Sequence, residues 1–304
     1  MGEVSVIIPV RNGEDHVVEA VTSALSQGAD IREVIVVDDG SADRTIVRVS
    51  AINDPRVKLF TDRPAGRAGV SAVRNYGFAK ATGEWVVFLD ADDRLRPGAV
   101  VALLASTEGK NTVAAYGDYE RIDEAGRIAG RRHLLHRRAK PSGAILENLL
   151  SGNFIVNGGV MLIRTDAFRA LGGFDESLRY CEDWHAWCRL AAMGKIHFLQ
   201  GVQVLDYRVH QASTMMARQL TMADYLPALD AIFTDPRIAV ALPAKTRMAL
   251  RGKAQAHLNA YLIGQSVRAH RYGAAIRALG QTLARRPREL PRALLVSGAA
   301  LAGI

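Results

Sequence analysis

The chain has 304 residues, 49% of them hydrophobic and 23% charged, which excludes a disordered or fibrous polymer and leaves room for one large α/β domain with an appendage. A formal net charge of +8 is compatible with nucleic acid, an anionic membrane surface or a phosphorylated ligand, and does not choose among them. Two cysteines, Cys181 and Cys188, lie seven apart without a C-x-x-C pattern; this excludes a disulfide-rich framework and fits a reducing, cytoplasmic setting.

The chain opens with "VSVIIPV" (4–10), an apolar run without a basic leader segment that ends in "RNGEDH"; it reads as a first strand rather than a signal peptide. In "EDHVVEAVTSALSQ" (14–27), Val17, Val18, Val21, Ala24 and Leu25 fall on one helical stripe. "EVIVVDD" (33–39) is a second strand, "GVSAVRNYGFAKATG" (69–83) a second helix and "EWVVFLD" (84–90) a third strand. The strands are nearly continuous in apolar residues, as expected of parallel strands covered on both faces. A βαβ alternation follows.

Residues 111–150 predict a hairpin-like pair around Glu124, Ala125 and Gly126, then a basic loop, "RIAGRRHLLHRRAK" (127–140). "NGGVMLIRTDAFRALGGFDESL" (157–178) reads as strand, short helix and glycine turn, and "CEDWHAWCRLAAMG" (181–194) as an amphipathic helix closed by Gly194. "KIHFLQGVQVLDYRVH" supplies one or two more strands. From about residue 217 alanine, arginine and leucine recur at helical spacing, so residues 1–215 form the α/β domain and 216–304 a helical extension. The apolar end "ALLVSGAALAGI" is shorter than the roughly eighteen residues a spanning helix needs.

In open parallel sheets ligands bind beyond the carboxyl ends of the strands. Here those ends read "RNGE", "DDGSAD" and "DADD", which brings Asp39, Asp90 and Asp92 toward one crevice. "PVRNGEDH" lacks the G-x-G-x-x-G of a dinucleotide site, and no Walker A pattern exists. Phosphates would need another partner, and a divalent cation on aspartate oxygens supplies one. Three carboxylates in four positions also exceed what one helix cap can use.

Taken together, "VSVIIPVRNGE", "VIVVDDGSAD", "VRNYGFAKATGEWVVFLDADD", "GGFDESL", "EDWHAWCRL" and "YRVHQAST" resemble the family 2 glycosyltransferases over residues 4 to about 215. The resemblance implies the GT-A fold, a Rossmann-like mixed sheet flanked by helices, and inverting transfer of a sugar from a nucleotide diphosphate donor, UDP-linked by preference, to a hydroxyl of a glycan or lipid-linked acceptor. It implies that Pro9, Val10, Asn12 and Asp39 line the base and ribose, that Arg67 and Arg74 reach the nucleotide, that Asp90 lies near ribose and metal, and that Asp92 binds Mn²⁺ or Mg²⁺. Asp183 of the E-D pair is then the general base, with Glu182 tuning its pKa or positioning the acceptor. His210 falls near the metal and diphosphate, as a ligand or a phosphate partner.

Trp184 and Trp187, one helical turn apart, suit either stacking on an acceptor sugar or the core. The basic stretches 127–140 and 284–292 suit attachment to an anionic membrane or a lipid-linked acceptor. Nucleic acid is not expected, because no aromatic platform or helix-turn-helix accompanies the charge. The C-terminal helices are expected to dimerise, contact a membrane or cover the acceptor side. Two alternatives remain on the residues alone: a binding protein of the same fold without turnover, and a nucleotidyltransferase.

Overall fold

A computed structural model describes residues 3–62, 69–107, 109, 111–131, 139–209 and 220–301. Strand β1 (Val4–Val10) is buried at every position, so its valines and isoleucines meet apolar partners on both faces. It pairs in parallel with β2 (Ile31–Asp38) on one side and with β4 (Trp85–Phe88) on the other; Ile7 faces Ile35 and Phe88. Helix α1 (Val17–Leu25) connects β1 to β2 and buries Val17, Ala20, Val21 and Ala24. A short α2 (Thr45–Ser50) precedes β3 (Val57–Phe60), a parallel edge strand absent from the sequence reading, where its single "VKLF" run is too brief to stand out. Helix α3 (Val70–Lys80) leads into β4. It can lie close on the sheet because residue 77 is glycine: a Cβ there would stand 2.7 Å from Ile7 and 3.0 Å from Val37.

Beyond β4 come β5 (Arg94–Leu95), α4 (Ala99–Ala105), β6 (Thr112–Ile122), α5 (Leu146–Ser151), β7 (Met161–Arg164), α6 (Thr165–Leu171), α7 (Glu182–Ala191) and β8 (Lys195–Arg208). The eight-stranded sheet runs β3-β2-β1-β4-β7-β6-β8-β5. β7 is antiparallel to both β4 and β6, β8 is parallel to β6, and β5 is antiparallel to β8, so the sheet is mixed. "KIHFLQGVQVLDYR" forms one fourteen-residue strand whose register against β6 shifts, rather than two strands. The turn after β6 folds back through an antiparallel bridge between Ile122 and Ile128, at the hairpin anticipated around Glu124.

The C-terminal region contains α8 (Met222–Thr234), α9 (Pro236–Ala241), α10 (Ala244–Arg268), α11 (Tyr272–Arg285) and α12 (Leu290–Leu301). The main core runs on from the sheet into α8, through Tyr225, Leu229 and Phe233, and into α10, through Leu250 and Leu258. A second, thinner core of Ala260, Ile263, Val267, Ala275, Ala293 and Ala300 holds α11 and α12 to the far half of α10. Among the described residues no helix is long and apolar enough to cross a membrane.

Candidate active site

The chain leaves β1, winds outward through β2 and β3, and returns to β4 on the other side of β1. This reversal opens a crevice at the carboxyl ends of β1 and β4, the usual ligand position in such sheets. Its floor is two interlocked loops. Asn12, with φ of +52°, donates its backbone N–H to Ser41 Oγ (2.8 Å) and accepts from the Ala42 N–H through Oδ1 (2.8 Å). Asp38, buried at the end of β2, turns the second loop by accepting the Gly40 and Ser41 N–H groups, and the Asp39 N–H donates to the Val10 carbonyl. Pro9 and Val10 are buried beneath, and Asp39 is half-buried at the rim.

The "DADD" segment is a tight corner after β4, closed by the Asp93 N–H on the Asp90 carbonyl (3.1 Å). Its three carboxylates separate by environment. Asp93 points inward, where Asn157 Nδ2 (2.8 Å) and the Arg208 N–H (2.8 Å) donate to it. Burial, then the charges of Asp92 and Asp90, raise its pKa well above the ordinary carboxylate range. Asp90 and Asp92 are half-buried at the crevice. The buried guanidinium of Arg208 donates to the carbonyls of Asp92, Asp123 and Glu124 and pairs with Glu19, tying the corner to the turn after β6.

Arg74, on α3, has a side chain only 8% exposed and joins the two acidic groups of the site. One terminal nitrogen lies 2.7 Å from Asp90 Oδ1 and the other 2.9 Å from Glu182 Oε1, while its carbon sits 5.5 Å from the centre of the Phe174 ring. Its neighbour Asn75 holds Phe174 by both the backbone carbonyl and the N–H, which explains why "RNYG" and "GGFD" belong to one site. Glu182 and Asp183 open α7 directly after Cys181, whose φ of +60° turns the chain sharply into the helix. Asp183 accepts the Trp184 N–H (2.6 Å). Burial, and next the neighbouring charge of Glu182, push its pKa up to about 7.

Pro9, Val10, Asn12, Asp39, Asp90, Asp92, Glu182 and Asp183 therefore surround one crevice or its floor, whereas Arg67 and His210 lie outside the described residues. Arg74 faces the acidic groups of the crevice, with one terminal nitrogen on Asp90 and the other on Glu182. One expectation is corrected. Trp184 and Trp187 are both fully buried and cannot stack on an acceptor; Trp184 Nε1 donates to the Leu149 carbonyl, and the Trp187 ring meets Phe174 edge-on. Sequence reasoning missed Asn157 and the clamping role of Arg208. An asparagine before two glycines was the available signal: Gly158 passes so near β4 that a Cβ would stand 2.7 Å from Phe88 Cβ.

Among the described residues no three histidine, cysteine or acidic side chains assemble as a metal-binding group. Two hard carboxylates at the crevice, Asp92 and Asp90, nevertheless suit a Mg²⁺-like or Mn²⁺-like ion, which commonly takes one or two carboxylates and completes its shell with phosphate oxygens and water. Asp90 retains that capacity beside Arg74, because an ionised carboxylate has about four acceptor sites.

The whole architecture is shared with solved glycosyltransferases. S. aureus TarS 1-349, determined in complex with UDP-GlcNAc, superposes with a TM-score of 0.63 over 99% of this chain and 92% of that one at 19% identity. The mannosyltransferase PcManGT of Pyrobaculum calidifontis, in complex with GDP-Man and Mn²⁺, gives 0.62 over 99% and 80% at 22% identity. These likenesses define the fold as GT-A. The sequence pattern of "Glycosyl transferase family 2" matches residues 5–172, and the chain belongs to that family. An uncharacterized glycosyltransferase of Rickettsia typhi is 30% identical over 69% of this chain and 65% of its own length; for the Rickettsia felis relative the latter share is 33%. The chain thus spans between a third and two thirds of those relatives. Succinoglycan biosynthesis protein ExoO of Rhizobium meliloti is 28% identical over 95% of this chain and 84% of its own.

Proposed function

We propose that the chain is an inverting glycosyltransferase that moves a sugar from a nucleotide diphosphate donor, UDP-linked by preference, to a hydroxyl of a glycan or lipid-linked acceptor. The observation that carries this reading is the joining of Asp90 to the Glu182-Asp183 pair through Arg74, which sets a carboxyl with pKa near 7 across the crevice from the acidic corner. The interlocked loops of Asn12 and Asp39 would hold the nucleoside, and Asp92 with Asp90 would hold Mn²⁺ or Mg²⁺. When bound, that cation supplies positive charge against the diphosphate.

Asp183 accepts the proton of the acceptor hydroxyl, whose oxygen forms a bond to the anomeric carbon as the bond to the diphosphate breaks. The electron pair leaves with the nucleoside diphosphate, and displacement from the opposite face inverts the anomeric centre. A base with pKa close to the working pH is well matched to that task. Glu182 keeps the value high by its charge, and Arg74 limits the repulsion between the two acidic clusters. Fructifying tests are simple: nucleotide sugars screened with Mn²⁺ or Mg²⁺ should give free nucleoside diphosphate. Pyrophosphate release would instead indicate nucleotidyl transfer, and binding without either product a protein that recognises the donor without turnover.

A further inference from the structure

The C-terminal helices carry a surface that the site above does not use. In α11, Tyr272, Ile276, Leu279 and Leu283 recur at i, i+4, i+7 and i+11, one stripe along the helix. Tyr272, Ile276 and Leu283 are 47%, 68% and 57% exposed. Its neighbour α12 exposes Leu294, Leu295 and Leu301 in the same way. The inward faces are occupied mainly by alanines of the thin second core, with Leu279 and Val296 packed partly against it, so Tyr272, Ile276, Leu283, Leu294, Leu295 and Leu301 are the larger apolar side chains left pointing out. Amphipathic helices of this kind normally bury the large residues.

The charge of the same segment identifies what meets it. Residues 268–304 contain seven arginines against a single acid, Glu289. Arg277, Arg286, Arg288 and Arg292 are exposed beside the apolar residues. A second copy docking through this face about a twofold axis would bring the arginines of both copies together. A surface that is apolar just beneath and negatively charged on top matches both features at once, which is the profile of an interfacial helix pair.

We propose that α11 and α12 lie on an anionic phospholipid bilayer, with the Tyr272-Ile276-Leu283 stripe and the leucines of α12 in the acyl boundary and the arginines among the headgroup phosphates. The surface is joined to the catalytic helix by direct contacts: Arg292 meets His257 Nδ1 at 2.6 Å, and the His257 ring stands 6.3 Å from that of Trp184 on α7. Docking would therefore fix the orientation of the crevice to the membrane.

The full chain, without donor or acceptor, should co-sediment with vesicles of equal phosphatidylglycerol and phosphatidylcholine, and binding should fall as salt is raised. Ile276→Glu with Leu283→Glu should weaken it at least ten-fold, and so should Arg286→Glu with Arg288→Glu. Val240→Glu, an exposed apolar position (89%) outside these helices, should leave it unchanged and controls for general surface charge. Circular dichroism establishes that each variant is folded. The proposal is overturned by equal binding to phosphatidylcholine alone, by no vesicle binding, by binding that survives both double substitutions, or by a dimer in light scattering that Ile276→Glu with Leu283→Glu dissolves. The readout is lipid binding, so its outcome stands apart from the transfer activity proposed above.

Discussion

Arg74 stands 2.7 Å from Asp90, its charge turned away from solvent and toward the acidic corner at the end of β4. Its second terminal nitrogen reaches Glu182, so one side chain links segments separated by 108 residues. A carboxylate cluster that would repel itself is thereby made compatible with a folded site.

Arg74→Met should remove this link and leave two acidic groups facing each other without a cation. Losing one partner of a buried ion pair costs about 3–5 kcal/mol. Urea denaturation should register a loss of that order, together with nucleoside diphosphate release reduced on the order of a hundred-fold. Arg74→Lys should recover part of the stability and little of the rate, since an ammonium lacks the planar fork that spans both partners. Wild-type stability in Arg74→Met would mean the bridge does not form.

Asp92→Ala should weaken the donor and the divalent ion together, seen as parallel losses in calorimetric titration with UDP and Mn²⁺. Chelation of the wild-type chain should reproduce the variant's rate. Full activity in chelator would remove the cation from the account.

Trp184→Ala should act through the core. The ring is fully buried and its Nε1 donates to the Leu149 carbonyl, so roughly 3–5 kcal/mol of stability should be lost. The melting temperature should drop, while the KM for acceptor stays within about two-fold in the folded fraction. A large acceptor KM effect with unchanged melting would restore the stacking role that the structure removes.

His257 is held neutral by burial and next by Arg292, with its pKa lowered to about 4 from 6.5. Between those values the unfolded chain binds a proton that the folded chain refuses, so this group's contribution to stability falls as pH drops from 6.5 toward 4. The slope is about 1.4 kcal/mol per pH unit. Asp183, raised toward 7, works in the opposite direction over much of that range, so the informative quantity is a difference. Wild type should lose stability relative to His257→Gln as pH falls; parallel profiles would count against a neutral, buried His257.

The sheet's centre was legible in the sequence because β1, β2 and β4 are continuous apolar runs closed by polar tails. β3 was not, because four residues at a sheet edge leave too short a pattern. The acidic corner and the E-D pair were likewise visible as clustered charge. What the sequence did not reveal is which way each side chain turns: Arg74 could face a ligand or a carboxylate with the same spacing, and Trp184 and Trp187 look alike whether a helix face is buried or open. Arg208 lay in a recognised segment, "YRVH", but its clamp on the Asp92 and Glu124 carbonyls joins residues that only the folded sheet brings together.

Removal of the acceptor's proton by Asp183 is the central step of the proposed reaction. The most direct test is the pH dependence of nucleoside diphosphate release in the wild type, Glu182→Gln and Asp183→Asn, with donor affinity measured alongside. The wild type should gain activity as pH rises through about 7, and Glu182→Gln should move that rise to lower pH by removing the adjacent negative charge. Asp183→Asn should bind donor within about two-fold of wild type and transfer almost nothing. An Asp183→Asn chain that turns over at the wild-type rate, with the same pH profile, would contradict the assignment.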